Sequence, residues 1–214
     1  MTPTLATLLA ITSLAPAPVE LRGGRMIMAP IVDISPDGVR VGGDEPRVIA
    51  WDNVRSVDSE WSERAAVYKE ISDDAWRARV RLARGDAVLA APLFERLFPK
   101  YQDRTGSLAL MIAEGVYQCR YGSGDIAGAF DAWLVAGDLR ERGVEIAGDP
   151  QMSPLLDPAT HLPPKVPPIF LDGLVAQRIA DSATEWLESS SAPTSDRMKR
   201  IVTAYQTAAP GPSQ

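Results

Sequence analysis

The chain has 214 residues, 45% of them apolar and 23% charged, which is ordinary globular usage and enough to bury a core. A net charge of -6 and a pI near 4.9 argue against a nucleic-acid partner, because holding a polyanion requires clustered Lys and Arg to neutralise its phosphates. A single cysteine, Cys119, excludes an internal disulfide and every Cys-rich zinc pattern, so stability has to come from packing.

The chain begins "MTPTLATLLAITSLAPAPVEL", with an apolar run from Leu5 to Ala15. That run is shorter than the roughly 20 residues that span a bilayer but suits the apolar region of a secretory leader. Residues 1–17 are therefore expected to be a signal peptide and the mature protein to be exported, to a periplasm or the extracellular space. No later run is apolar enough to cross a membrane, so no transmembrane segment is expected in the mature chain.

Residues 18–60 read as a small β module. "VELRG", "RMIMAPIVDI", "GVRVG" and "PRVIAW" alternate or run apolar with β-branched residues, and Gly23-Gly24, Ser35-Pro36-Asp37-Gly38 and Gly42-Gly43 punctuate them. Three or four short antiparallel strands are predicted. So small a module needs to rest its apolar face on the next part of the chain, through Trp51 and Trp61. The closing "VIAWDNVRSVD" resembles the last strand, short turn and strand of small SH3-like or Sm-like barrels, a likeness that implies a fold and no activity.

From Trp61 the period changes to that of helices, filling residues 61–147. Ala75, Arg79 and Leu82 share one side of the first helix, with Trp76, Val80 and Ala83 on another. Ala90, Leu93, Phe94, Leu97, Phe98 and Tyr101 then draw an apolar stripe at spacings of three and four. Pro92 lies inside that stripe and predicts a kink or a late helix start. Leu108 to Tyr121 and Ile126 to Arg142 form a second pair.

The two pairs share their punctuation. Gly85-Asp86 and Gly124-Asp125 stand thirty-nine residues apart, each followed at the same interval by an alanine and then an aromatic: Ala90 and Phe94, Ala129 and Trp133. A glycine just past a helix accepts the left-handed conformation that ends it, and the aspartate can accept from the free N–H groups of the next helix. Gly-Asp is thus a helix-hairpin corner.

With Tyr121 before the second corner, residues 70–142 resemble the tetratricopeptide repeat family, whose second helix opens in this way. Departures are the spacing, longer than the family's roughly 34 residues, Leu82 in place of the first aromatic, and the foreign Pro92. The resemblance implies a concave groove lined by the first helix of each pair, in which Arg79, Glu114, Gln118 and Tyr121 take the positions that meet a peptide or partner protein.

Residues 148–173, "GDPQMSPLLDPATHLPPKVPPIFLDG", carry seven prolines among large apolar residues and predict an extended strap laid over the helices. Residues 174–208 predict a C-terminal helix pair, with Val175, Ile179, Ala183, Trp186 and Leu187 inward on the first and Met198, Ile201, Val202 and Tyr205 on the second. Residues 209–214 predict a loose tail.

Chemistry finds little footing. The one histidine, His161, lies in the strap and rules out a His pair for a metal. Cys119 falls on an apolar helix face, as core residues do. Arg77, Arg81 and Arg84 share a face with Glu70, Asp73 and Asp74 in the preceding turns to pair them. Trp76, Trp133 and Trp186 fall on apolar stripes and are expected in the core. No glycine-containing turn has the Lys and spacing of a phosphate loop.

The expected molecule is therefore mainly α, with stacked antiparallel helix hairpins behind a small N-terminal antiparallel β module. It is expected to bind or scaffold another protein or peptide, with no catalytic residue, metal or cofactor. The alternative is a hydrolase with a carboxylate pair in a cleft between the β module and the helices.

Overall fold

A computed structural model of the chain describes residues 17–43, 46–146, 173–189 and 195–208. The expected leader up to Pro16, the strap from Gly148 to Asp172 with His161 in it, and the tail at 209–214 lie outside the described residues. The architecture is mainly helical with a small N-terminal antiparallel β module.

The module has six strands, more than the three or four expected: β1 (Ala17–Leu21), β2 (Met26–Ala29), β3 (Ile31–Ser35), β4 (Gly38–Val41), β5 (Arg47–Ala50) and β6 (Val54–Val57). They make two antiparallel sheets, one in the order β2-β1-β6 and one in the order β3-β4-β5. The difference arises at Pro30. The apolar run "RMIMAPIVDI" looks like one strand, but proline has no N–H to donate, and its two halves serve different sheets, β2 pairing with β1 and β3 with β4. Between β5 and β6 the chain makes a single 3-10 turn, Trp51–Asn53, so the segment "VIAWDNVRSVD" is strand, turn and strand as expected.

Val19, Ile31 and Val39 are fully buried inside the module. Gly38 holds φ at 147°, and a Cβ there would lie 2.1 Å from the Ile49 carbonyl oxygen, so the tight β3–β4 turn against β5 accepts glycine alone.

The module is fastened to the helices by hydrogen bonds as well as by apolar contact. The Trp51 indole donates to the Ser35 carbonyl at 2.8 Å while its ring stacks on Tyr68 at 5.2 Å. The Ser72 hydroxyl lies 2.9 Å from the carbonyls of both Trp51 and Val54, and the Tyr101 hydroxyl donates to the Pro36 carbonyl at 2.6 Å. Each bond satisfies a polar group at a site where water is excluded, which is the condition for burying it at little cost.

Seven helices follow among the described residues: α1 (Ser62–Ala66), α2 (Lys69–Ala83), α3 (Ala87–Tyr101), α4 (Ser107–Ser123), α5 (Ile126–Glu141), α6 (Gly173–Glu188) and α7 (Asp196–Ala208). Consecutive helices from α2 to α5 pack on one another, α6 packs on α7, and α5 also meets α6. The Gly-Asp corners are built alike. Gly85 and Gly124 sit at φ 80° and 86°, and Asp86 and Asp125 donate backbone bonds of 2.9 Å to Arg81 and Arg120 five residues back. Their side chains then accept from Leu89 N at 3.2 Å and Gly128 N at 3.0 Å, so one dipeptide ends a helix and caps the next.

Pro92 does not delay α3, which starts at Ala87 directly after the corner. The N–H that proline lacks would have met the carbonyl of Val88, a residue 84% exposed, where water can replace it.

Phe94 and Trp133 are both fully buried, but at different interfaces. Phe94 lies on Gly115 of α4, whereas Trp133 stacks with Phe130 at 5.2 Å and meets Tyr205 of α7 at 5.7 Å.

Candidate functional site: a cationic cleft between the β module and α2

Of the four residues expected to line a helical groove, Glu114, Gln118 and Tyr121 stand at spacings of four and three along α4, and Arg79 stands on α2. Arg79 projects from α2 toward the β module, where its Nη1 lies 2.8 Å from Asp52 and donates to Asn53 Oδ1 at 3.1 Å. Glu114 of α4 is 2% exposed and accepts two bonds from Arg140 of α5, at 2.6 and 2.8 Å. Burial pushes its carboxyl above the ordinary range, and Arg140 opposes that rise only in part. Gln118 is half-buried on α4, and the half-buried Tyr121 lies with its ring 5.8 Å from that of Tyr117.

Arg79 lines a cleft of about 570 Å³ between the β module and α2. One wall is the β1–β2 hairpin, with Leu21, Arg22, Arg25 and Ile27. Another is β5 along its whole length, Arg47 to Ala50. Trp76 and Arg79 of α2 close it, with Asn53 beside them. Among the described residues no aspartate or glutamate lines it.

The four arginines fall into two classes. Arg22 and Arg79 form the floor and are neutralised from behind. Arg22 donates to the Ser72 hydroxyl at 2.9 Å and to Asp73, and its guanidinium lies 4.8 Å from the centroid of the Trp76 ring. The hydrogen bond from Arg22 holds the Asp73 carboxyl below its ordinary value, with Lys69 adding to the same direction. Arg22 Nε is buried and has no hydrogen-bond partner among the described residues. Arg79 is held by Asp52, which is 2% exposed.

Arg25 and Arg47 form the rim. Both are exposed, and no carboxylate pairs with either among the described residues. Among the described residues two acids therefore stand behind four cations, and these residues present unbalanced positive charge on a chain that is acidic overall.

Several sequence expectations change here. Trp76 is not core but half-buried beneath Arg22, with the cleft on one side. Asp73 and Asp74 do not serve Arg77, Arg81 and Arg84: Asp73 pairs with Arg22 and Lys69, and Asp74 with Arg96 of α3 at 2.6 Å. Arg81 donates to the Leu89 carbonyl at 3.0 Å. Arg22, Arg25 and Arg47 carry no motif, since each lies in or beside a different short strand. Their one shared signal is basic character in otherwise apolar β segments.

Among the described residues, the acids whose carboxyls are raised lie elsewhere. Asp131 faces a groove between α3, α5 and α6, together with Arg120 and the half-buried Trp186, and burial raises its carboxyl while a bond from Ser182 opposes the rise. Cys119 is buried on α4 and its thiol is pushed up to about 11. Among the described residues no three His, Cys, Asp or Glu side chains come together as metal ligands, and no helix is long and apolar enough to cross a membrane. Comparison of the chain with protein-family models, curated proteins and solved structures finds no match.

Proposed function

We propose that this is an exported protein-binding or scaffolding protein of helical-repeat type whose partner engages the cleft between the β module and α2. The observation that carries the reading is the lining of that cleft: four arginines and an indole, with no carboxylate among the described lining residues and with Asp52 and Asp73 behind two of the arginines. Such a surface recognises and orients an anionic group, and it offers no acid–base pair for chemistry. A carboxylate-pair hydrolase would need its acids at this place, and the groups there are Arg22, Arg25, Arg47 and Arg79. The paired helices and their matching corners support the resemblance to tetratricopeptide repeats, folds that serve as rigid platforms for partners.

The reading is tested by placing a photo-crosslinking amino acid at Val48, beside the cleft, or at Tyr121, on the helical face, and irradiating cells of the native host. A discrete protein adduct from position 48 is expected. Adducts from position 121 alone would move the partner to the helical groove, and adducts from neither position would overturn the binding role.

A further inference from the structure

Resting on that reading, we infer that the cleft takes an extended acidic peptide segment, which adds as a strand to the free edge of β5 and places its carboxylates against Arg25 and Arg47. The first observation concerns which residues touch the cleft. Side chains alternate along a strand, so a cavity lying over one face of a sheet meets every second residue. This cleft meets Arg47, Val48, Ile49 and Ala50 in succession, two exposed and two buried, and so it runs along the edge of the strand.

That edge is open. β5 is the outer strand of its sheet, its one neighbour is β4, and no hydrogen bond from any other element reaches it among the described residues. A row of main-chain groups without partners, facing a cleft long enough for a four-residue strand, is the arrangement that pairs with an extended chain.

The second observation is charge. The open rim carries Arg25 and Arg47 without carboxylate partners among the described residues, Arg22 and Arg79 of the floor are each paired with an acid behind them, and no acid lines the cleft among the described residues. A basic peptide would meet like charge, and a neutral one would leave the rim unpaired. Ile27, Val48 and Trp76 supply the apolar contact that one non-acidic side chain of the segment requires.

The test uses the full chain and a fluorescent nonapeptide of alternating Val and Glu, read by anisotropy. Three further arms are the same peptide with Gln for Glu, the same peptide N-methylated at alternate residues, and competition by inorganic phosphate or free glutamate. The acidic peptide is expected to bind at least tenfold more tightly than its Gln form, more weakly as salt rises, and at least tenfold more tightly than its N-methylated form.

The double variant Arg25→Glu, Arg47→Glu, shown folded by circular dichroism, is expected to lose at least tenfold for the Glu peptide and to gain for a Lys peptide. Equal binding of Glu and Gln peptides, or of parent and N-methylated peptides, overturns the inference, as does displacement by phosphate at concentrations where glutamate has no effect. Absence of peptide binding with a retained crosslink at position 48 sinks this inference and leaves the proposed function standing. Peptide binding without any cellular crosslink does the reverse.

Discussion

The ring of Phe94 on α3 rests so closely on Gly115 of α4 that a methyl group at position 115 would stand 2.3 Å from two ring carbons. Both sides are buried, and Ile112 and Val116 beside the glycine are fully buried too, so the ring has nowhere to withdraw. In an open helix Gly→Ala stabilises by about 1 kcal/mol through backbone entropy. Here overpacking, about 1–3 kcal/mol, opposes that gain, and Gly115→Ala is expected to destabilise by up to about 2 kcal/mol net. Urea unfolding of the variant alone and with Phe94→Leu checks it. The second change should recover part of the loss, and a stabilised single variant would show that the two helices can part.

Glu114 and Arg140 form a buried ion pair between α4 and α5, and removing one partner strands the other. Arg140→Leu is expected to cost about 3–5 kcal/mol at neutral pH. The direction with pH follows from the raised carboxyl. A fold that favours the protonated acid is most stabilised below the ordinary value of 4.5 and loses that contribution as pH rises through the folded value. Without Arg140 the rise is larger, so the variant's deficit should be greater at pH 7 than at pH 4, and Glu114→Gln should remove the difference. Denaturant unfolding at the two pH values decides, and a deficit independent of pH would refute the account.

The Arg79–Asp52 pair ties α2 to the turn between β5 and β6 at 2.8 Å with both side chains largely buried. Arg79→Leu is expected to cost about 3–5 kcal/mol, because it removes the guanidinium that meets the buried Asp52, while the double variant with Asp52→Leu should recover most of it. A double-mutant cycle from denaturant melts measures the coupling, and additive losses would mean the pair is not acting as one unit.

The aspartates of the two corners should contribute alike. Asp86→Ala and Asp125→Ala each remove an acceptor from the first turn of a helix and are expected to destabilise by about 1 kcal/mol, with Asn at either position nearly neutral. Gly128→Ala should match Asp125→Ala, because a Cβ at 128 would sit 2.2 Å from the capping carboxylate. Thermal melts of these variants check this.

Cys119 offers a probe of opening. With its thiol at about 11 and its side chain buried on α4, it should resist a thiol reagent at pH 8 and react only as fast as the core opens. The labelling rate across a urea series should therefore follow the unfolding equilibrium, and immediate reaction in native buffer would place the thiol at the surface.

The helices and their corners were legible because their signals are local: a period of 3.6, a glycine that stops one helix and an aspartate that starts the next all lie within a few residues. Pro92 misled as to where α3 starts, since the cost of a missing N–H depends on whether its carbonyl partner faces water, which sequence does not record. The strands were harder to count, because Pro30 divides a continuous apolar run between two sheets and the division shows only in the pairing. The cleft was not legible. Arg22, Arg25, Arg47, Trp76 and Arg79 come from the β1–β2 hairpin, β5 and α2, and no spacing rule joins them. Trp76 and Arg79 could be placed on a helix, but whether solvent, core or another module lay opposite them was a tertiary fact. Asp73 shows the same limit, looking within its helix like a partner for Arg77 and in three dimensions answering to Arg22.

β1 is the middle strand of its sheet, with Val19 opposite Ile27 on one side and Val57 on the other. Its second neighbour is therefore synthesised nearly forty residues later, and the Arg22 anchor on Ser72 and Asp73 later still. During biosynthesis β1 must wait, paired on one side, until β6 has left the ribosome, and the Arg22 anchor beside it until α2 has followed. A chain stalled before that helix should be open to proteolysis at its amino end, and the same stretch should become resistant in a single step once α2 is complete.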